Sequence, residues 1–189
     1  MVKADCGGCN GCSRCCHGMG NSIILDPYDV YRMTTGMGKS MQELLAASVE
    51  LNVVDGVILP NLKMQGAEEA CAYLDGEGRC SIHPYRPGIC RLFPLGRYYE
   101  NGGFSYFLQT GECAKENRSK IKVSKWIDTP DLTRNQQFTL QWHDLLHAME
   151  ERLTGEDEGK QREENLLLLR LFYLLPYEGT IDFYTQFTE

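Results

Sequence analysis

No cysteine follows Cys113, although nine stand at or before it in a chain of 189 residues. This gap divides the sequence into a cysteine-bearing region, 1–128, and a plain region, 129–189, which we expect to pack together as one compact unit. Long apolar runs are also missing. The most apolar stretch, Leu166 to Leu175, is ten residues long and interrupted by Arg170, whereas a bilayer core needs about 20 residues of helix. It reads as a buried helix, and no membrane association is expected. Met1 to Gly8 lacks the apolar segment that export or a lipid anchor requires. With the odd cysteine count, that argues against a secreted disulfide scaffold and predicts a cytoplasmic protein. Clustered positive charge is scarce as well. The formal charge is −7, and the one basic stretch, Lys115 to Lys125, is short and interleaved with other residues, so nucleic-acid binding is disfavoured. The chain has no glycine-rich phosphate loop, dinucleotide fingerprint, G-x-S-x-G elbow or C-x₃-C-x₂-C run. Whether it is an enzyme stays open, but any chemistry would have to be carried by a metal.

What is present is enough apolar residue, 42%, to build a core without covalent staples. Asp26-Pro27 supplies an N-cap and a first-turn proline for a helix over Tyr28 to Thr35, ending at Gly36. Ser40-x-x-Glu43 is a capping box for a second helix reaching about Leu51. Between Asn52 and Phe107 the turn signals Asp55-Gly56, Asp75-Gly76-Glu77-Gly78 and Asn101-Gly102-Gly103 predict two or three small hairpins. After Thr129-Pro130 the spacing of Leu132, Phe138, Trp142, Leu145, Leu146 and Met149 predicts a helix with one buried face, ended by Gly155. A further helix from about Lys160 to Leu175 is stopped by Pro176. The expected class is α+β: a small irregular cysteine-rich region with short hairpins, then a mainly helical part.

The strongest signal is Cys9-x₂-Cys12-x₂-Cys15-Cys16. Two intervening residues let the chain turn back so that both sulfurs reach one ion or cluster. Zinc sites more often take paired cysteines from two separate knuckles, so three in series favour iron–sulfur ligation. A second register, Cys6-x₂-Cys9-x₂-Cys12-x₃-Cys16, has the bacterial ferredoxin spacing with His17 in place of the following proline. Neighbouring side chains on extended backbone point to opposite sides, which predicts that Cys15 and Cys16 serve different metals. Cys71, Cys80, Cys90 and Cys113 are the candidates to complete the ligand set. The eight thiolates then form two four-cysteine sites or ring one polynuclear centre. Ordinary buried thiols are a poor alternative, because the glycine-rich loop has little apolar surface to bury them in.

The loop Cys9 to Cys16, followed by Cys71-Ala-Tyr-Leu, Gly78-Arg79-Cys80-Ser81-Ile82-His83, Tyr85-Arg86-Pro87-Gly88-Ile89-Cys90-Arg91 and Phe93-Pro94, resembles the CxxCxxCC or YkgJ-like family over roughly residues 9–113. That family is described as a zinc- or iron-chelating domain, and a similar domain occurs in flagellin lysine methylases. The resemblance implies that Cys9, Cys12, Cys15, Cys16, Cys71, Cys80, Cys90 and Cys113 hold metal, and it suggests redox or protein-modification chemistry on a protein substrate or with a redox partner. Zinc in a structural or interaction module, or chelation and delivery of iron or zinc, are the competing functions. Cys6 lies outside the family pattern and reads as a spare thiol, and His83 stands where the family usually carries Tyr.

Several residues have plainer readings. Asp26 and Asp29 read as helix cap and first-turn charge. Arg86 and Arg91 could neutralise thiolates or bind an anion, with carboxylate pairing at least as good an account. His143 and His147 have i, i+4 metal-binding spacing, but no glutamate follows the first histidine as in zincins, so a surface or core role is expected. His17, directly after the loop, could be a ligand or a hydrogen-bond donor to sulfur, and the better reading is a group that supports the ligands from behind. If the centre is catalytic, His17, His83, Arg86 and Arg91 should surround a cavity beside it.

Overall fold

The computed structural model describes residues 1–5, 7, 12–115 and 117–189. The fold is α+β, with short antiparallel hairpins before residue 122 and mostly helix after it. In chain order the elements are β1 (Val2–Asp5), a 3-10 turn (Arg14–Cys16), α1 (Pro27–Met37), α2 (Met41–Ala47), β2 (Val49–Val54), β3 (Val57–Leu62), β4 (Met64–Gln65), β5 (Ala70–Cys71) and a second 3-10 turn (His83–Tyr85). There follow α3 (Gly88–Leu92), β6 (Leu95–Glu100), β7 (Gly103–Leu108), β8 (Ser119–Ile121), α4 (Val123–Ile127), α5 (Leu132–Leu153), α6 (Glu158–Leu169), a π-helical turn (Arg170–Leu174) and α7 (Phe183–Thr188). The strands pair as β1 with β8, β2 with β3, β4 with β5 and β6 with β7.

Local chemistry accounts for most of these boundaries. Asp26 caps α1 by accepting from Asp29 N at 2.8 Å while Asp29 returns the bond to Asp26 N, an arrangement worth about 1 kcal/mol. Ser40 and Glu43 form the same box for α2. The Asp55-Gly56 and Asn101-Gly102 turns both take positive φ at both positions, the twist that a two-residue hairpin needs. The sequence places the end of α1 at Gly36, but the helix runs on to Met37 and closes at Gly38, which adopts the left-handed conformation. Gly36 has a different role: a Cβ there would lie 2.3 Å from the Tyr85 ring, so this glycine lets the loop before α3 sit on the helix.

Two further expectations need correction. The sequence places the end of the second helix at about Leu51, but it stops at Ala47, because Val49 to Val54 pairs in register with Val57 to Leu62. Leu166 to Leu175 is not buried throughout: Leu168, Leu169 and Tyr173 are, while Leu166, Leu167, Leu171, Leu174 and Leu175 are exposed. Only one side of this segment meets the core. α7 and the β1–β8 pair were not foreseen, being too short to show a period.

The main core gathers Val30 and Met33 from α1, Leu44 from α2, Leu59 and Leu62 from β3, Phe138 and Trp142 from α5, and Phe183 from α7. Phe138 and Phe183 meet edge to face with centroids 5.0 Å apart, the geometry aromatic quadrupoles favour. Asn165 on α6 donates to Gly56 O and accepts from Ile58 N at 2.6 Å, which fastens the β2–β3 turn to the helices. A second, smaller core of Leu92, Leu95 and Ile127 is held by Trp126, whose indole N–H donates to the carbonyls of Leu92 and Phe93. No helix among the described residues is long and apolar enough to cross a membrane.

Candidate metal centre

Four separate pieces of chain carry the cysteines toward one place. Cys15 and Cys16 lie in the 3-10 turn after Ser13, closed by Cys16 N donating to Ser13 O at 2.8 Å. The next residues dock this turn on the β4–β5 hairpin. Gly18 N donates to Glu69 O at 2.9 Å, His17 pairs with Ala70, and His17 Nδ1 lies 3.3 Å from Glu68 O. Cys71 ends that hairpin opposite Met64. The turn Asp75 to Gly78, in which Asp75 Oδ1 accepts from Glu77 N and Arg79 N, brings Cys80 back to pair with Leu74. Cys90 rides on α3.

α3 is fixed from beneath by a buried ion pair. Asp29 accepts from Gly88 N at 2.6 Å and lies 3.7 Å from Arg91 Nη2, with side-chain exposures of 3% and 5%. The Arg91 guanidinium also covers the Tyr28 ring at 5.7 Å, a cation–π contact. Burial pushes both Asp29 and Asp26 up, Asp26 to about 8 with Asp29 adding to the rise. Arg91 is thus a structural cation, and the carboxylate-pairing reading holds for it.

Cys15, Cys16, Cys71, Cys80 and Cys90 all line one cavity of about 270 Å³. Its remaining wall is mostly apolar, including Ile23, Leu62, Met64, Tyr73 and Phe93, with Ser22, Arg86, Gln109 and Glu112 as polar members. Cys12, Cys15 and Cys113 line a second, much smaller cavity of about 20 Å³, together with Glu112 and Trp126. Cys15 therefore faces both spaces and Cys16 only the larger. Cys6 and Cys9 lie outside the described residues. Of the four groups expected around a cavity beside the centre, only Arg86 is there. His17 is spent on the β4–β5 hairpin, His83 lies on an exposed 3-10 turn, and Arg91 is locked to Asp29. Glu112, which sequence reasoning passed over, borders both cavities; its position next to Cys113 was the available signal.

The thiols differ in acidity for identifiable reasons. A hydrogen bond from Cys16 is the main force holding Cys15 down, to about 6, with Arg86 assisting against burial. Cys16 rises correspondingly because it keeps the proton. Burial raises Cys71, Cys80 and Cys90, with the neighbouring thiols adding to each, while His83 is lowered by burial and then by Arg86. Such a donor set suits a soft or borderline cation, which takes the place of thiol protons and removes the repulsion among sulfurs. As they stand, no three His, Cys, Asp or Glu side chains among the described residues are in coordinating positions; five of the sulfurs line one cavity.

These features define a cysteine-rich metal-binding domain carried on short hairpins. In agreement, residues 8–121 match the family described as "CxxCxxCC: Putative zinc- or iron-chelating domain", and the chain belongs to that family. No curated protein and no solved structure was found to be significantly similar to it.

Proposed function

We propose that the chain is an iron–sulfur protein, with Cys9, Cys12, Cys15, Cys16, Cys71, Cys80, Cys90 and Cys113 as ligands, serving redox or protein-modification chemistry with a protein partner or substrate. The observation that carries this reading is the meeting of five thiols from four chain segments on one mostly apolar cavity. Cys16, Cys71, Cys80 and Cys90 border only the larger cavity, Cys12 and Cys113 only the smaller, and Cys15 borders both. That supports a divided or extended centre rather than one four-coordinate ion. The apolar wall favours redox use, because a low-polarity surrounding tunes potential and limits solvent access. When bound, the cluster would supply one-electron chemistry. The protein's part is to collect the sulfurs, place Arg86 where it offsets thiolate charge, and keep water from the wall formed by Ile23, Leu62 and Phe93.

Iron, zinc and acid-labile sulfide should be counted on protein purified without oxygen. Iron accompanied by a matching amount of sulfide is the expected result. Zinc without sulfide would overturn the iron–sulfur assignment in favour of a zinc-stabilised interaction module, where closed cysteine sites contribute folding energy and no chemistry.

A further inference from the structure

Away from the thiols, α5 presents a second set of ligand-type side chains to the β2–β3 turn. His143 and His147 stand one helical turn apart and border, with Glu150 and with Asp55 of the turn, a cavity of about 190 Å³. Sequence spacing alone favoured a surface or core role for these histidines. The structure adds a cavity that both rings share with two carboxylates.

Each ring has a carboxylate beside the same nitrogen. His143 Nδ1 is 3.4 Å from Asp144 Oδ1, and His147 Nδ1 is 3.5 Å from Glu151 Oε1. A carboxylate at Nδ1 draws the ring proton to that side and leaves Nε2 as a free electron-pair donor, the arrangement that supports metal-bound histidine. Residues four apart on a helix share a face, so both Nε2 atoms can serve one ion. Tyr99 stacks on His143 with centroids 3.7 Å apart and planes 11° from parallel, which restricts that ring's rotation. Asp55 is held in the tight turn that Asn165 fastens through Gly56 O and Ile58 N. No lysine or arginine borders this cavity.

We propose that His143 and His147, with Glu150 and Asp55, form a second metal site that takes one divalent cation of the zinc class. Two imidazoles and two carboxylates suit such an ion, whereas the cysteine centre selects softer ligation. As the side chains stand, no three of these groups are placed to hold one ion. Glu150 and Asp55 are exposed, and the proposed site requires both to turn toward the histidines when the ion binds. The bound ion links the β2–β3 turn to α5.

The test is calorimetric titration with zinc of tag-free protein that already holds its cysteine-bound metal. Wild type should bind one further equivalent, and binding should raise its thermal midpoint. His147→Gln, at a side chain 59% exposed and so free of folding consequences, should weaken that equivalent by at least about tenfold. Asp55→Asn should weaken it less. Cobalt bound at the same site should show no sulfur charge-transfer band. Absence of a further equivalent in wild type, or equal affinity in His147→Gln, would overturn the proposal without touching the cysteine centre.

Discussion

Arg91→Met is expected to lower the free energy of unfolding by about 3–5 kcal/mol, the usual result when one partner of a buried ion pair is removed. Asp29 would be left buried next to Asp26, with only the smaller influence of Arg97 to offset its charge. The pair lies under α3, so the same change should also loosen Cys90. Asp29→Asn should be costly for the mirrored reason, because it strands a guanidinium whose Nε and Nη1 have no protein hydrogen-bond partner among the described residues. The double variant should recover part of the loss, since the pair disappears together. Urea unfolding of the three variants measures this. Additive losses would show that Arg91 and Asp29 act independently.

Cys16→Ser and Cys90→Ser should each remove about half or more of the bound metal, because loss of one thiolate opens a four-ligand site. Cys6→Ser should leave the metal content unchanged. Cys16 and Cys90 come from segments 74 residues apart yet border the same cavity. Elemental analysis of the purified variants gives the answer. A full complement in Cys16→Ser would remove that residue from the ligand set. Two further checks separate misfolding from ligand loss: α5 and α6 should stay protected from hydrogen exchange in Cys16→Ser, and the loop around residues 12–18 should lose protection.

The parts of the fold that were legible in the sequence are those with local chemical causes. Asp26, Ser40 and the Asp55-Gly56 and Asn101-Gly102 turns act within a few residues, so their capping and hairpin roles could be read directly. The long face of α5 was legible for the same reason, because Phe138 and Trp142 repeat at helical spacing over 22 residues. Gly36 misled because its constraint comes from Tyr85, 49 positions away. Val49 to Leu51 misled because a capping box marks where a helix starts and carries no information about where pairing with β3 will end it. At the site, spacing identified the cysteines as a set, and the cavity brings five of them together. It could not separate Arg86, which borders the thiols, from Arg91, which pairs with Asp29, since both follow the same motif. The ligand role of Glu150 and Asp55 proposed above was equally hidden, because it depends on the β2–β3 turn lying against α5.

X-ray absorption at the edge of the metal retained after dialysis against a weak chelator tests the central claim most directly. The cysteine centre predicts a first shell dominated by sulfur, at about 2.3 Å if the metal is zinc. A first shell of nitrogen and oxygen without sulfur would contradict it.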